Sequence, residues 1–148
     1  MAYDILHQTT DAELLARATI WAGANPRARD QIFNITNGDV FRWNQVFPPV
    51  ADLFGIDCVQ PQTFRLTEAM KDKGPLWARM AEKYGLHQYQ LHEIANWAFG
   101  DFIFNVENDA FFDVNKARRF GFDRMHLDSG EEILRLMRSL REQKVVHF

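Results

Sequence analysis

The order of apolar and polar positions along the chain predicts a mostly helical protein. Residues 10–13 read T-x-x-E, the pattern of a capping box that opens a helix. In the stretch that follows, Leu14, Ala18 and Trp21 fall on one face at helical spacing. Asn25-Pro26 ends this helix, because the residue before a proline is driven out of helical geometry.

The same periodicity predicts five further helical stretches. The first two are 44–54, whose start is limited by Pro48-Pro49 and whose end is set by Gly55, and 67–84, which is interrupted at Gly74-Pro75 and ended by Gly85. The next two are 91–105 and 115–120, the latter stopped by Gly121. A last helix is opened by S-x-x-E at 129–132. The stretch 91–105 is apolar nearly all round, which indicates burial on more than one side. The last helix is expected to turn four apolar side chains inward: Ile133, Leu136, Met137 and Leu140.

One segment has the alternation of a strand instead. Residues 31–36, QIFNIT, alternate in direction, and Asn37-Gly38 after them is a turn signal. Weaker strand candidates lie at 56–59 and 144–148. A lone strand cannot satisfy its own backbone groups, so 31–36 must pair with one of these or with something outside the chain. Beyond the turn, Phe41 and Trp43 are expected to pack under the next helix, although a ligand rim is the other interpretation.

Composition narrows the class of protein. The 148 residues are one domain's worth, so 1–148 is treated as a single domain. A net charge of −3 argues against a nucleic-acid binder, which needs a basic face. No run approaches the roughly 18 consecutive apolar residues of a membrane span. The N-terminus has no signal-peptide pattern, and Cys58 is the only cysteine, so a cytoplasmic location is expected.

The sequence offers little catalytic chemistry. No two glycines are spaced as G-x-G, which predicts no dinucleotide or phosphate loop, and no tyrosine is followed four residues later by lysine. His87 and His92 are five residues apart, which does not suit a helical metal pair. Cys58 has no base nearby in sequence. Four aspartates flank turns and helix starts, where backbone capping explains them: Asp109, Asp113, Asp123 and Asp128. We therefore expect no catalytic, cofactor-binding or metal-binding residue in this chain.

Three stretches in the same order carry a family resemblance. The first contains NITNGDVFRW, the second is MKDKGPLWARMAEKYGL, and the third contains WAFGDFIF and NKARRFGF. Together they resemble the C-terminal part of the progesterone 5β-reductase/iridoid synthase-like group of extended short-chain dehydrogenases/reductases, over about residues 11–146.

The resemblance implies a fold in which one region binds the cofactor and another binds the substrate. Members of that group have an N-terminal Rossmann domain that binds NADPH, and a largely helical C-terminal region that closes over the substrate. The implied fold class is α+β, mostly helical: the substrate-binding C-terminal part of a Rossmann-type reductase, with one or two late strands and without the cofactor-binding half. The glycine-rich loop and the catalytic tyrosine and lysine belong to that other half. The chain alone would then use no cofactor, although the full-length family uses NADPH.

The resemblance also implies a substrate site. The family's pocket phenylalanine aligns with Phe99, and Phe102 and Ile103 would lie along the same wall. Such a wall suits a small apolar carbonyl substrate, although an aromatic stripe at this spacing is also typical of a core. Two functions remain: the substrate-binding and closing region of an NADPH-dependent reductase-like protein, or a stand-alone helical binding or assembly module without redox activity. The partner is a Rossmann half in the first case and a second copy of the chain, in a homodimer, in the other.

Overall fold

Helices make up the regular structure of the computed structural model, which describes residues 2–148. They are α1 (Ala12–Ala24), α2 (Trp43–Phe54), α3 (Leu66–Met70), α4 (Gly74–Tyr84), α5 (Leu91–Ile94), α6 (Trp97–Ile103), α7 (Asn115–Arg119) and α8 (Ser129–Glu142), with one 3-10 turn at Pro26–Ala28. Helix α2 packs against α8, and α3 packs against α6. A single antiparallel bridge joins His7 to Phe41. The prediction of a mostly helical chain is confirmed.

The predicted strand at 31–36 does not form within residues 2–148, and neither do those at 56–59 and 144–148. A strand requires a neighbouring backbone that completes a ladder of hydrogen bonds, and no described segment supplies one. Side chains hold 31–36 instead. The Thr10 hydroxyl donates to the Ile35 carbonyl at 2.8 Å, and the Asn34 amide donates to the Asp113 carbonyl at 3.1 Å. The strand component of the α+β prediction is therefore not met in the described residues.

The predicted helix ends agree with the structure. Asn25 ends α1 with an extended backbone, as expected before proline. Gly55 and Gly85 end α2 and α4 in the left-handed conformation, each with φ of 63°. Glycine adopts that conformation without a Cβ clash, which is why these positions were readable from the sequence.

The predicted helix starts are wrong in detail at α1 and α8. Asp11, not Thr10, caps α1, because its carboxylate accepts the backbone N–H three residues on. Asp128, not Ser129, caps α8 in the same way. The Thr10 and Ser129 hydroxyls bond to other parts of the fold instead, Thr10 donating to the Ile35 carbonyl and Ser129 to Asp39.

Helix α2 begins at Trp43, one residue before the prediction, and contains both Pro48 and Pro49. Each proline removes one backbone hydrogen bond from the helix interior. The helix persists because its apolar face is packed, with Val46 buried and Phe47 between aromatic neighbours.

The predicted helix 91–105 is two short helices, α5 and α6. The backbone is extended at Ala95, and the side chain of Asn96 accepts the Phe99 N–H at 3.0 Å to start α6. No residue of α6 is buried by the described chain. The expectation of burial on more than one side is therefore wrong for this chain by itself.

The core lies where α1 meets the segment around α7. It consists of Leu14, Ala18, Val114, Ala117, Phe122 and Met125. Trp21 and Phe33 pack on it, with their ring centroids 5.2 Å apart. On α8 the buried apolar side chain is Leu134. Of the four predicted inner residues, Ile133, Met137 and Leu140 are partly buried, whereas Leu136 is 55% exposed, so the prediction fails at Leu136.

Candidate functional site

The described residues form a concave, mostly apolar cavity of about 750 Å³. One wall is α2, another is formed by α3 and α6, and the third is the irregular segment that follows α2. The lining residues are Tyr3, Trp43, Phe47, Val50, Ala51, Phe54, Ile56, Asp57, Cys58, Val59, Pro61, Gln62, Phe64, Leu66, Asp101 and Phe104. We refer to this space as the α2–α6 cavity.

Helix α2 supplies the aromatic wall. Trp43, Phe47 and Phe54 recur at helical spacing, so they face the same side. The Trp43 ring stacks on Phe47 at 5.4 Å and lies edge-on to Phe104, the residue that follows α6, at 5.1 Å. The Trp43 indole N–H is buried and has no hydrogen-bond acceptor among residues 2–148. The wall is therefore apolar, and its one buried hydrogen-bond donor without an acceptor among residues 2–148 is the Trp43 indole N–H.

Helix α6 presents two different faces. Asp101 and Phe104 line the cavity, whereas Phe99 and Phe102 lie on the outer face, 61% and 67% exposed, with ring centroids 6.4 Å apart. Ile103 is partly buried. The structure thus brings Phe99 and Phe102 together and places none of the three predicted substrate residues in the cavity wall. We call the surface of Phe99 and Phe102 the outer aromatic face.

Asp101 fixes α3 to α6. Its carboxylate accepts the Leu66 N–H at 2.5 Å, the Thr67 N–H at 3.1 Å and the Thr67 hydroxyl at 2.8 Å. Partial burial opposes ionisation of this carboxyl, but the hydrogen bonds from Thr67 and Leu66 outweigh it, so the pKa of Asp101 lies below its usual value. The carboxylate is committed to the start of α3 and is not a free catalytic base.

Tyr3 and Cys58 meet at the edge of the cavity, a pair the sequence did not suggest. Burial raises the pKa of the Tyr3 hydroxyl, and the neighbouring Cys58 thiol raises that pKa further. Tyr3 also stacks on Phe47 with centroids 6.1 Å apart. The periodicity of α2 could have indicated its share of this wall, but residues 3 and 58 reach it only through the tertiary fold.

The turn at Asn37-Gly38 belongs to a buried polar cluster. The Ser129 hydroxyl donates to Asp39 at 2.6 Å, and its N–H donates to the same carboxylate at 2.7 Å. The Asn37 amide donates to the Ser129 hydroxyl at 3.1 Å, and the Asn37 side-chain oxygen accepts the Asp11 N–H at 2.7 Å. Asn37 and Ser129 are fully buried. These bonds tie Asn37-Gly38 to α1 and α8, so the interpretation as a structural turn holds there, whereas Trp43, beyond the turn, lines the α2–α6 cavity.

A second depression, of about 420 Å³, is lined by residues of α1, α8 and the segment before α8, and its lining is mostly charged. Arg135 pairs with Asp11 at 3.0 Å and with Glu132 at 2.5 Å, and Arg17 pairs with Glu13 at 2.5 Å. Carboxylates thus neutralise Arg17 and Arg135, and the lining also contains Arg124 and His126.

Neither a metal cluster nor a membrane span is present in the described part of the chain. Residues 2–148 contain no group of three or more His, Cys, Asp or Glu side chains that could hold a metal ion. None of the helices described combines the length and the apolar character that crossing a membrane requires.

Comparison with known proteins gives relatives but no family model that matches. The chain is 36% identical over 125 residues to an (S)-8-oxocitronellyl enol synthase of Nepeta cataria, which covers 82% of this chain and 32% of that protein. An (S)-8-oxocitronellyl enol synthase of Camptotheca acuminata is 30% identical over 149 residues, 98% of this chain and 38% of its own length. The 3-oxo-Delta(4,5)-steroid 5-beta-reductase of Arabidopsis thaliana is 32% identical over 124 residues, again 82% and 32%.

These matches define the class as reductase-like. More narrowly, the chain is a relative of the progesterone 5β-reductase/iridoid synthase-like group, and the resemblance read from its motifs is confirmed. The chain spans about a third of the length of the curated relatives it matches.

Proposed function

We propose that this chain is the substrate-binding and closing region of an NADPH-dependent reductase-like protein, and that it reduces nothing alone. The outer aromatic face carries this proposal. Phe99 and Phe102 expose most of their surface although they are large apolar side chains, and such surfaces favour a ligand or a partner. The alignment of Phe99 with the family's pocket phenylalanine supports the same assignment.

The proposed substrate is a small apolar carbonyl compound. Sites for such molecules are mostly apolar with few polar groups, and the outer aromatic face fits that description. In this role Phe99, Phe102 and Ile103 orient the substrate and exclude water from it. NADPH, held by a Rossmann half, would supply the hydride, and its placement sets the chemistry.

A chimera tests the proposal. The matched region of the Nepeta cataria enol synthase is replaced by this chain, and NADPH consumption is followed with the relative's own substrate. Phe99→Ala and Phe102→Ala are each expected to raise the substrate KM roughly 10-fold, because apolar contacts to the substrate are lost. The KM for NADPH should stay unchanged.

Phe111→Ala is the matched control, since Phe111 is also an exposed phenylalanine, at 64%, but lies outside α6. It should leave both KM values unchanged. A chimera in which Phe99→Ala and Phe102→Ala behave like Phe111→Ala would contradict the assignment of the outer aromatic face.

The second candidate is a helical assembly module without redox activity. It is favoured by the outer aromatic face together with Ile32, which is 85% exposed on an unpaired extended segment. A symmetric dimer could bury both the outer aromatic face and Ile32. Light scattering decides: a dimer that Phe102→Ser dissociates favours the module, and a chain that stays monomeric at all concentrations rules this function out.

A further inference from the structure

We propose that the α2–α6 cavity is a second binding site, separate from the outer aromatic face, and that it takes a small, uncharged, mostly apolar molecule. The two surfaces lie on different faces of α6, because Asp101 and Phe104 line the cavity while Phe99 and Phe102 do not. The site is built entirely from this chain, so occupancy does not depend on a reductase half.

The size and lining of the cavity fit a ligand of this kind. Its volume of about 750 Å³ lies within the roughly 300–1,000 Å³ of typical small-molecule sites. Trp43, Phe47 and Phe104 present rings to it. Flat or extended apolar molecules gain most from such a wall, because aromatic rings offer a large apolar contact area.

The charges of the lining exclude anions. Asp57 and Asp101 are the acidic residues of the lining, and the lining contains no lysine, arginine or histidine. A carboxylate or phosphate that entered would be desolvated beside two carboxylates and would find no cation in the lining, since Arg65, near Asp101, is not part of it. The expected ligand is therefore neutral, which separates it from fatty-acid anions of the same shape.

The outer wall of the cavity can adjust to a ligand. The backbone of residues 57–64 makes no hydrogen bond to any other part of residues 2–148, whereas Ile56 at one end and Leu66 at the other are each anchored by their N–H. Within the segment, the Cys58 side chain meets the Tyr3 hydroxyl. Phe64 and Val59 in this segment are more than half exposed although they line the cavity. A segment whose backbone is tethered only at its ends has low local stability, and closing over an apolar ligand would bury Phe64 and Val59.

Binding of the neutral dye Nile red to the complete chain at pH 7 tests the proposal. We expect a saturable rise in fluorescence, which decanol displaces at least about tenfold more effectively than decanoate, since only the anion meets the carboxylates. Ala51→Trp places an indole in the cavity from α2 and should abolish dye binding. Phe111→Ala, at an exposed phenylalanine outside both the cavity lining and α6, should leave dye binding unchanged.

Two results would overturn the proposal: dye binding that survives Ala51→Trp but is lost in Phe102→Ala, or equal displacement by decanol and decanoate. Circular dichroism shows whether Ala51→Trp is folded. If Ala51→Trp is not folded, the rate of alkylation of Cys58, the single cysteine, tests the site in the unaltered chain, because Cys58 lines the cavity. Decanol should slow alkylation of Cys58 by iodoacetamide, and an unchanged rate of alkylation would refute the site.

Discussion

At the scale of single residues, Gly38 is the position where the fold allows no side chain. Its φ is 104°, and a Cβ added there would lie 2.0 Å from the Met125 carbonyl oxygen. Asn-Gly signalled a turn in the sequence, but the reason for glycine is this approach of a distant backbone. The sequence could not show it, because Met125 is far away along the chain.

Gly38→Ala is expected to lower the free energy of unfolding by more than about 3 kcal/mol, because strain at positive φ adds to a clash with rigid backbone. Urea denaturation followed by circular dichroism measures it. Gly55→Ala is the control: φ is also positive, at 63°, but nothing lies within 4 Å of the added Cβ. It should cost about 1–2 kcal/mol. Equal costs at the two positions would mean that the Met125 contact is not rigid.

Ser129→Ala should cost about 1–3 kcal/mol in the same measurement, because Asp39 and Asn37 would each lose a buried hydrogen-bond partner. Ser139→Ala, on the same helix, removes only an exposed bond to Gln143 and should stay within about 0.5 kcal/mol. If the two variants are equally stable, the cluster around the turn does not hold α8 in place.

At the scale of elements, the link between α3 and α6 depends on the ionisation of Asp101. Its pKa is lowered in the folded chain, so the carboxylate contributes stability above its unfolded pKa, about 3.9. That contribution is lost as the pH falls through the lower, folded pKa. Asp101→Asn should therefore reduce the melting temperature at pH 7, and the gap to the unaltered chain should narrow below about pH 4.

Asp72→Asn is the matched control for this pH series. The pKa of Asp72 is also lowered, chiefly by a hydrogen bond from Lys73, but the pair is exposed at the surface. Exposed pairs contribute little, so no change in melting temperature is expected. A pH-independent gap for Asp101→Asn would show that the loss comes from side-chain packing and not from charge.

Helix α6 also shows the limit of reading an element from its pattern. The apolar run 91–105 predicts one helix buried on several sides, but Ala95 and Asn96 break it without any proline or glycine. Asn96 acts as a cap, and the sequence pattern gives no means to distinguish that cap from a helix-interior asparagine. The outer face stays open because burial depends on a neighbour, which the pattern of one segment does not specify.

At the scale of the whole molecule, the segment 31–36 has no strand partner among residues 2–148, and the outer aromatic face is exposed. Under the proposed function, a Rossmann half or a ligand would cover them. We expect no saturable NADPH binding by the chain alone, measured as nicotinamide fluorescence during titration, because no G-x-G loop is present. Saturable binding at micromolar NADPH would contradict the proposed division between this region and a Rossmann half.

The sequence by itself determined the helical class, the helix ends at Asn25, Gly55 and Gly85, and the relationship to the reductase group. These features are local, since backbone geometry and motif order need no distant partner. The tertiary structure alone decided the absence of the strand at 31–36, the requirement for glycine at Gly38, and the α2–α6 cavity. Each of these depends on which segments far apart in sequence approach one another, and apolar spacing within one segment does not encode that choice.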